Sequence, residues 1–362
     1  MKKEVSIYFH WPYCRSKCPY CDFYKIVDRH INQAEIIDKY IKDLDDYHHM
    51  LPNRVIRSVF FGGGTPSLIE PQYVERLINH IHKLWPVREN IEISLEANPN
   101  TNQPQMFSNL HAAGINRLSL GVQALNEKDL KFLGRTHTLK DALKSIDDVL
   151  RVFNNHSMDL IYARPEQTMS SWMSELEQAV SFGFKHLSVY QLTIEEGTVF
   201  EKKGVKALDD ENAGEMYQQT VDFLRNSGYP RYEVSNFALK EYESVHNKCY
   251  WTGDDYIGIG KGAHGRLKIE KQHYALEYPN IKEKLSPYER AQELILMGLR
   301  LEKGIEKQHF KQICGLSFNQ VVPQLKIDEL SELKLIKNEK DRIFATDKGF
   351  LVLNKIIEEL CA

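Results

Sequence analysis

Six short apolar, β-branched runs, each followed by a segment of helical periodicity, constrain the first half of this chain more than any other feature. The runs are Val5–Phe9, Ser58–Phe61, Ile91–Glu96, Arg117–Gly121, Met158–Ile161 and His186–Leu192. Between them, Ile36–Met50, Pro71–Trp85, Leu139–Phe153 and Ser171–Phe182 repeat apolar residues at three- and four-residue spacing, the mark of a helix with one buried face. Repeated strand–helix alternation points to parallel strands, because a parallel neighbour is reached only by a crossover, and to helices covering the sheet. Six units rather than eight predict an α/β fold built as a partial, TIM-like (β/α)6 barrel with an open side. Gly62-Gly63-Gly64 follow the second run, Glu96 ends the third and Gln123 follows the fourth. These positions are the C-terminal ends of strands, where barrels of this kind build their sites.

The alternation fades after Glu195. A helix is expected over Asp210–Asn226, then one more extended element in YPRYEVSNFA, then HNKCYW and the glycine-rich GIGKGAHG. From Ser286 onward short helices lead to two β-like pieces around a charged turn, Thr346-Asp347-Lys348-Gly349 and a final helix, the pattern of a winged-helix-like α+β module. The expected division is 1–235 for the barrel, 236–285 for a connecting region that carries HNKCYW, and 286–362 for the terminal module. Such a module either contacts DNA or covers and docks. With 47 Lys+Arg against 50 Asp+Glu, a net charge of −3 and no basic stripe in the tail, covering is the favoured reading and no nucleic-acid partner is expected. No stretch reaches the ~18 apolar residues of a membrane span, and no apolar run of ~7–15 residues marks a signal peptide at the start. A cytoplasmic protein without a transmembrane segment is the expectation.

Three of the six cysteines, Cys14, Cys18 and Cys21, crowd into eight residues after the first strand, while Cys249, Cys314 and Cys361 are scattered. In a reducing compartment such a cluster points to metal binding or catalysis rather than disulfides. Three thiolates at C-x3-C-x2-C spacing can hold three irons of a [4Fe–4S] cube and leave the fourth open. Zinc competes, but structural zinc wants four ligands and no second Cys/His pair stands at suitable spacing. A redox-sensing dithiol is the remaining alternative.

With the aromatic Tyr20 before its last cysteine, this array resembles the signature of the radical SAM family. The resemblance extends to GGGTP at Gly62–Pro66, SLEANP at Ser94–Pro99, LSLGVQ at Leu118–Gln123 and DLIY at Asp159–Tyr162. Together these are similar to the coproporphyrinogen-dehydrogenase-like branch, and most to its HemW-type heme chaperones, over nearly the whole chain. The resemblance implies a [4Fe–4S] cluster on Cys14, Cys18 and Cys21 that binds S-adenosyl-L-methionine (SAM) at its open iron. It implies that Gly63, Gly64 and Thr65 let the backbone approach the methionine end of SAM. Tyr8, Tyr20, Glu96, Gln123, Arg135 and Asp159 match further SAM-contact positions, and Thr193 and His264 match two late ones less closely. HNKCYW fits an H-N-x-x-Y-W pattern associated with heme, which makes His246 the implied axial ligand, with Cys249 as another candidate. Tyr250 and Trp251 would offer flat apolar faces to the porphyrin. The chain departs from the family at Ala163-Arg164-Pro165, where Gly-Leu-Pro is common, and at Lys261, where a small residue is common.

Two functions fit this resemblance. One is a heme carrier that passes heme to an acceptor protein such as a membrane-bound respiratory enzyme, reaching the inner membrane only through that partner. The other is an oxygen-independent coproporphyrinogen III dehydrogenase, which decarboxylates its substrate by radical SAM chemistry. The dehydrogenases read C-x3-C-x2-C-x-C, whereas Phe23 stands at the last position here, and they carry a longer segment before the cluster. HNKCYW belongs to the carrier pattern. A carrier without coproporphyrinogen dehydrogenase activity is therefore expected, with a homodimer as one device by which SAM and the cluster would gate release.

Overall fold

The computed structural model describes residues 3–28, 30–99, 105–279 and 281–361. The six expected strands are β1 (Glu4–Trp11), β2 (Val55–Gly63), β3 (Val87–Ala97), β4 (Arg117–Gln123), β5 (Asn155–Tyr162) and β6 (His186–Gln191). They lie side by side in sequence order and are all parallel. Helices α1 (Gln33–Met50), α2 (Pro71–Leu84), α3 (Met106–Ala112), α4 (Leu139–Val152) and α5 (Met169–Ser181) supply the crossovers, and α6 (Asp210–Asn226) follows β6.

Period-two alternation sorts each strand into two faces. Ile7, Phe9, Val59, Phe61, Leu95, Leu118, Leu120, Met158, Leu160 and Leu187 point outward into one apolar core with Leu44, Leu77, Val149, Trp172 and Leu176 of the helices. The opposite face of the same strands carries buried Ser6, Ser58, Glu92, Ser94, Arg117, Ser119, Ser157, His186 and Ser188. The apolar mass thus lies between strands and helices, and the space enclosed by the strands is polar.

The sheet runs on beyond the six-strand unit at both edges. YPRYEVSNFA forms two short strands, β7 (Arg231–Glu233) and β8 (Asn236–Ala238), rather than one, and β8 pairs antiparallel with β6. On the other side β9 (Tyr256–Ile259) adds parallel to β1, followed by the antiparallel meander β10 (His264–Ile269), β11 (Gln272–Glu277) and β12 (Ile281–Leu285). Residues 256–285, read from sequence as part of a connection, therefore extend a twelve-stranded mixed sheet. HNKCYW lies on helix α7 (Val245–Thr252).

The C-terminal module has its own core. Helices α8 (Pro287–Gly298) and α9 (Lys307–Cys314) and the last helix, Leu353–Cys361, pack Leu294, Ile295, Phe310, Ile356 and Leu360 around a three-stranded antiparallel sheet. Arg231 ties it to the barrel. Its buried guanidinium bonds Glu302 at 2.7 Å and Asp347 at 3.0 Å, and lies 3.5 Å over the Phe350 ring.

Candidate functional site

The three clustered cysteines sit in the loop that leaves β1. Its base is pinned where Tyr13–Cys14 pairs with Ile26–Val27, and where Ile26 N–H donates to Pro12 O at 2.7 Å. Inside the loop Cys21 N–H reaches Cys18 O at 3.3 Å. All three thiols are free. Thr65 Oγ1 approaches Cys14 Sγ at 3.5 Å, and the Arg135 guanidinium approaches Cys18 Sγ at 3.5 Å and Tyr20 Oη at 3.3 Å.

The loop closes one side of a cavity of about 740 Å³ at the C-terminal ends of the strands. Cys14, Cys18, Cys21, Tyr20, Gly63, Gly64, Thr65, Glu96, Gln123, Arg135 and Asp159 all line it, and Thr193 does too. Gly63 has φ +107°, and a Cβ there would lie 2.7 Å from the His10 ring. At Gly64 a Cβ would meet Tyr13 O at 2.8 Å. Only glycine brings the backbone this close to β1 and the cysteine loop. Gln123 adopts φ +72° where the β4–β5 register slips, a strained position for a residue with a side chain, held here at the cavity wall.

Two carboxylates stand deep in this space. Glu96 accepts the Gly63 N–H at 3.1 Å, yet burial first, and Asp159 second, push its pKa up to about 8. Burial also raises Asp159, despite Ser119 Oγ donating at 2.9 Å. Near the cysteines the polarity reverses: Arg135 bonds Asn98 and donates to Gly121 O at 3.0 Å. Recessed carboxylates at one end and a guanidinium beside the thiols suit a ligand that carries both cationic groups and a carboxylate, as SAM does.

Sequence reasoning missed Asn98 and Tyr190, which also line the cavity. Asn98 Nδ2 donates to Thr65 Oγ1 at 3.2 Å and so links Arg135 to the glycine turn. Asn98 lies inside the SLEANP motif, and Tyr190 shares the inward register of His186 and Ser188; both were legible there. Two assignments do not join the cavity. Tyr8 lies inside the barrel, stacked on Phe60 with its hydroxyl donating to His10 Nδ1 at 3.0 Å, and does not line the wall. His264 is exposed at the start of β10.

HNKCYW is divided between two surfaces. Successive helical residues turn about 100°, so His246, Cys249 and Tyr250 share one face of α7 while Lys248, Trp251 and Thr252 share the opposite one. The first face seals the barrel. His246 is fully buried, stacks on Phe60 at 5.1 Å, and has both ring nitrogens engaged, Nδ1 with Ser58 Oγ at 2.9 Å and Nε2 with Tyr250 Oη at 2.7 Å. Its backbone N–H donates to Glu92 at 2.9 Å, which caps the helix from within the barrel. Burial holds its pKa down to about 3. An axial ligand needs an exposed imidazole lone pair, so the expectation that His246 binds heme iron does not fit this arrangement. Cys249, fully buried with its thiol pushed up to about 12 by burial, fits no better.

A second polar connection leaves the cavity floor. Asp159 is reached by Ser157 Oγ at 3.5 Å, Ser157 bonds His186 Nδ1 at 2.7 Å, and His186 Nε2 bonds Tyr232 Oη at 2.8 Å.

The departures from the family pattern have local explanations. Ala163 has φ +56°, where glycine would be unstrained. Arg164 is buried in place of an apolar side chain and is compensated by Glu175 (Nη1–Oε1 3.3 Å) and Asp129 (3.2 Å). Lys261 is exposed and lies over the Tyr24 ring at 5.1 Å.

The chain matches the radical SAM superfamily over residues 8–179 and the HemN C-terminal domain over residues 285–352. It is 36% identical to "Heme chaperone HemW" of Lactococcus lactis subsp. lactis, across 99% of this chain and 98% of that protein. It is 33% identical to the mitochondrial "Radical S-adenosyl methionine domain-containing protein 1" of Bos taurus, across 99% of this chain and 87% of that one. The structure of coproporphyrinogen III oxidase (HemN) from Escherichia coli, described as a radical SAM enzyme, superposes with a TM-score of 0.83 at 21% identity. That superposition covers 100% of this chain and 91% of the other, so the two share a fold. With its strand-end cavity, its three-cysteine loop and likeness over nearly its full length, this chain belongs to the radical SAM superfamily and, within it, to the HemW family.

Proposed function

We propose that the protein binds heme and hands it to an acceptor protein, and that it holds a [4Fe–4S] cluster and SAM in the strand-end cavity. The observation that carries this reading is the likeness to relatives named heme chaperones across both the barrel and the C-terminal module. Cys14, Cys18 and Cys21 would hold the cluster, which when bound supplies a one-electron reductant for SAM. Arg135 and Asn98 would orient the SAM carboxylate beside the glycine turn, and Glu96 and Asp159 would face its cationic groups. Phe23 is 63% exposed beside the cysteines and offers iron no ligand, which counts against the dehydrogenase pattern. Among the described residues no helix is long and apolar enough to cross a membrane. A cytoplasmic carrier would thus meet a membrane-bound acceptor by docking. Anaerobic protein with reconstituted cluster, loaded with hemin, should transfer it to an apo-hemoprotein acceptor and should not release carbon dioxide from labelled coproporphyrinogen III with SAM and reductant. Catalytic turnover in the second assay would replace the carrier reading with the dehydrogenase.

A further inference from the structure

The outward face of α7 does not meet solvent alone. Together with α8, α9 and the strand before α9 it encloses a second cavity of about 580 Å³, between the barrel and the C-terminal module. We propose that this cavity is the heme seat, with His309 as the imidazole that meets the iron; the proposal rests on the carrier reading above and locates its site.

Three observations carry it. The cavity has the chemistry of a flat macrocycle's pocket: Trp251, Leu294, Leu301, Ile305 and Phe310 form apolar wall, and the buried indole N–H of Trp251 has no hydrogen-bond partner among the described residues. On its margin Lys240 and Lys303 are exposed and make no ion pair among the described residues, which leaves two ammonium groups for two propionates. Glu241, Glu243, Glu302 and Glu306 also line the cavity, but Glu243 is paired with Lys248 and Glu302 with Arg231, so the two lysines remain as its unpaired cations among the described residues.

The second observation concerns His309, the histidine in this lining. Its Nε2 lies 3.1 Å from Thr252 O and 3.8 Å from the Asp254 carboxylate, both acceptors, so Nε2 carries the proton. In the neutral ring Nδ1 then holds the lone pair, and no partner engages it among the described residues. An imidazole whose other nitrogen donates to a carbonyl is the usual arrangement of a metal-ligating histidine. The carbonyl here belongs to the last residue of α7, so the HNKCYW helix would orient the ligand rather than supply it.

The third observation is the connection to the cofactor cavity. Tyr232, which lines the second cavity, belongs to the hydrogen-bonded series that begins at Asp159 in the first, and its hydroxyl also accepts the Ser244 N–H at 3.4 Å. This series gives a route by which occupancy of one space would be felt in the other.

The test is a titration of full-length protein, cluster reconstituted, with hemin and with metal-free protoporphyrin IX, read by Soret absorbance and tryptophan fluorescence. Leu301→Trp, which fills the cavity, should weaken both ligands at least tenfold. His309→Gln keeps an N–H for the Thr252 carbonyl but removes the ring lone pair. It should shift the hemin Soret maximum and weaken hemin while leaving protoporphyrin IX unchanged. Cluster absorbance and thermal midpoint equal to wild type certify the fold of each variant. If wild type binds hemin and both variants bind it equally well with the same spectrum, the cavity is not the seat, although the carrier reading survives. If wild type binds no hemin, the carrier reading itself falls.

Discussion

Glu96 offers the most direct measurement of what the strand-end cavity is built to receive. With a pKa near 8, about one molecule in ten carries an ionised Glu96 at pH 7 in the free protein. A ligand that brings a fixed sulfonium into the cavity favours the carboxylate, so binding at pH 7 should expel nearly one proton. Removing that proton costs about 1.4 kcal/mol at one unit below the pKa, and apparent SAM affinity should rise about tenfold between pH 7 and pH 9. Calorimetry in buffers of different ionisation enthalpy would count the proton directly. Glu96→Gln, which keeps the shape and loses the charge, should bind SAM more weakly with a flat profile. Stability follows the same linkage: the fold binds this proton more tightly than the unfolded chain, so the stabilisation is complete below about pH 4.5 and fades as pH rises through 8. Asp159, raised in the same direction, adds to that trend. A SAM affinity independent of pH in wild type, or an identical slope in Glu96→Gln, would refute the reasoning.

Other consequences can be measured separately. Cys18→Ala should abolish the reconstituted iron–sulfur chromophore, whereas Cys314→Ala in the C-terminal core and Cys361→Ala should keep it; a full four-iron spectrum in Cys18→Ala overturns the ligand assignment. Glu175→Gln leaves the buried Arg164 guanidinium with Asp129 as its one remaining carboxylate and should cost about 3 kcal/mol in denaturant unfolding, while Arg164→Leu combined with Glu175→Gln, which keeps an acceptor for the Leu125 N–H, should recover part of the loss. Ala163→Gly relieves a left-handed backbone and should stabilise by about 1 kcal/mol; a lower thermal midpoint counts against strain at that position.

The six-strand unit was legible because its outward positions are almost uniformly apolar, and because polar residues such as Glu96 and Gln123 interrupt that pattern where strands end. The meander β10–β12 was not, since KIEKQHYALE and IKEKL alternate charges with few β-branched residues, and its place is fixed by pairing to β9 rather than by local preference. HNKCYW was legible as a motif but not as geometry. A string of six residues does not state that two faces of one helix serve different neighbours, nor that Ser58 and Tyr250 already occupy the histidine. Arg164 carried no warning either: its partners come from 11 and 35 residues away, on separate helices.

The polar interior also limits how this protein can change over time. A methyl lost from the outer wall leaves a small void that neighbours can refill. Inside, Ser157 and His186, or Ser58 and His246, are buried and satisfy each other. Replacing one member strands the other at a cost of about 1–3 kcal/mol, whereas replacing both with groups of matching shape can be nearly neutral. Viable sequence drift across the enclosed face should therefore proceed by compensated double steps, and libraries that vary these positions one at a time will sample mostly failures.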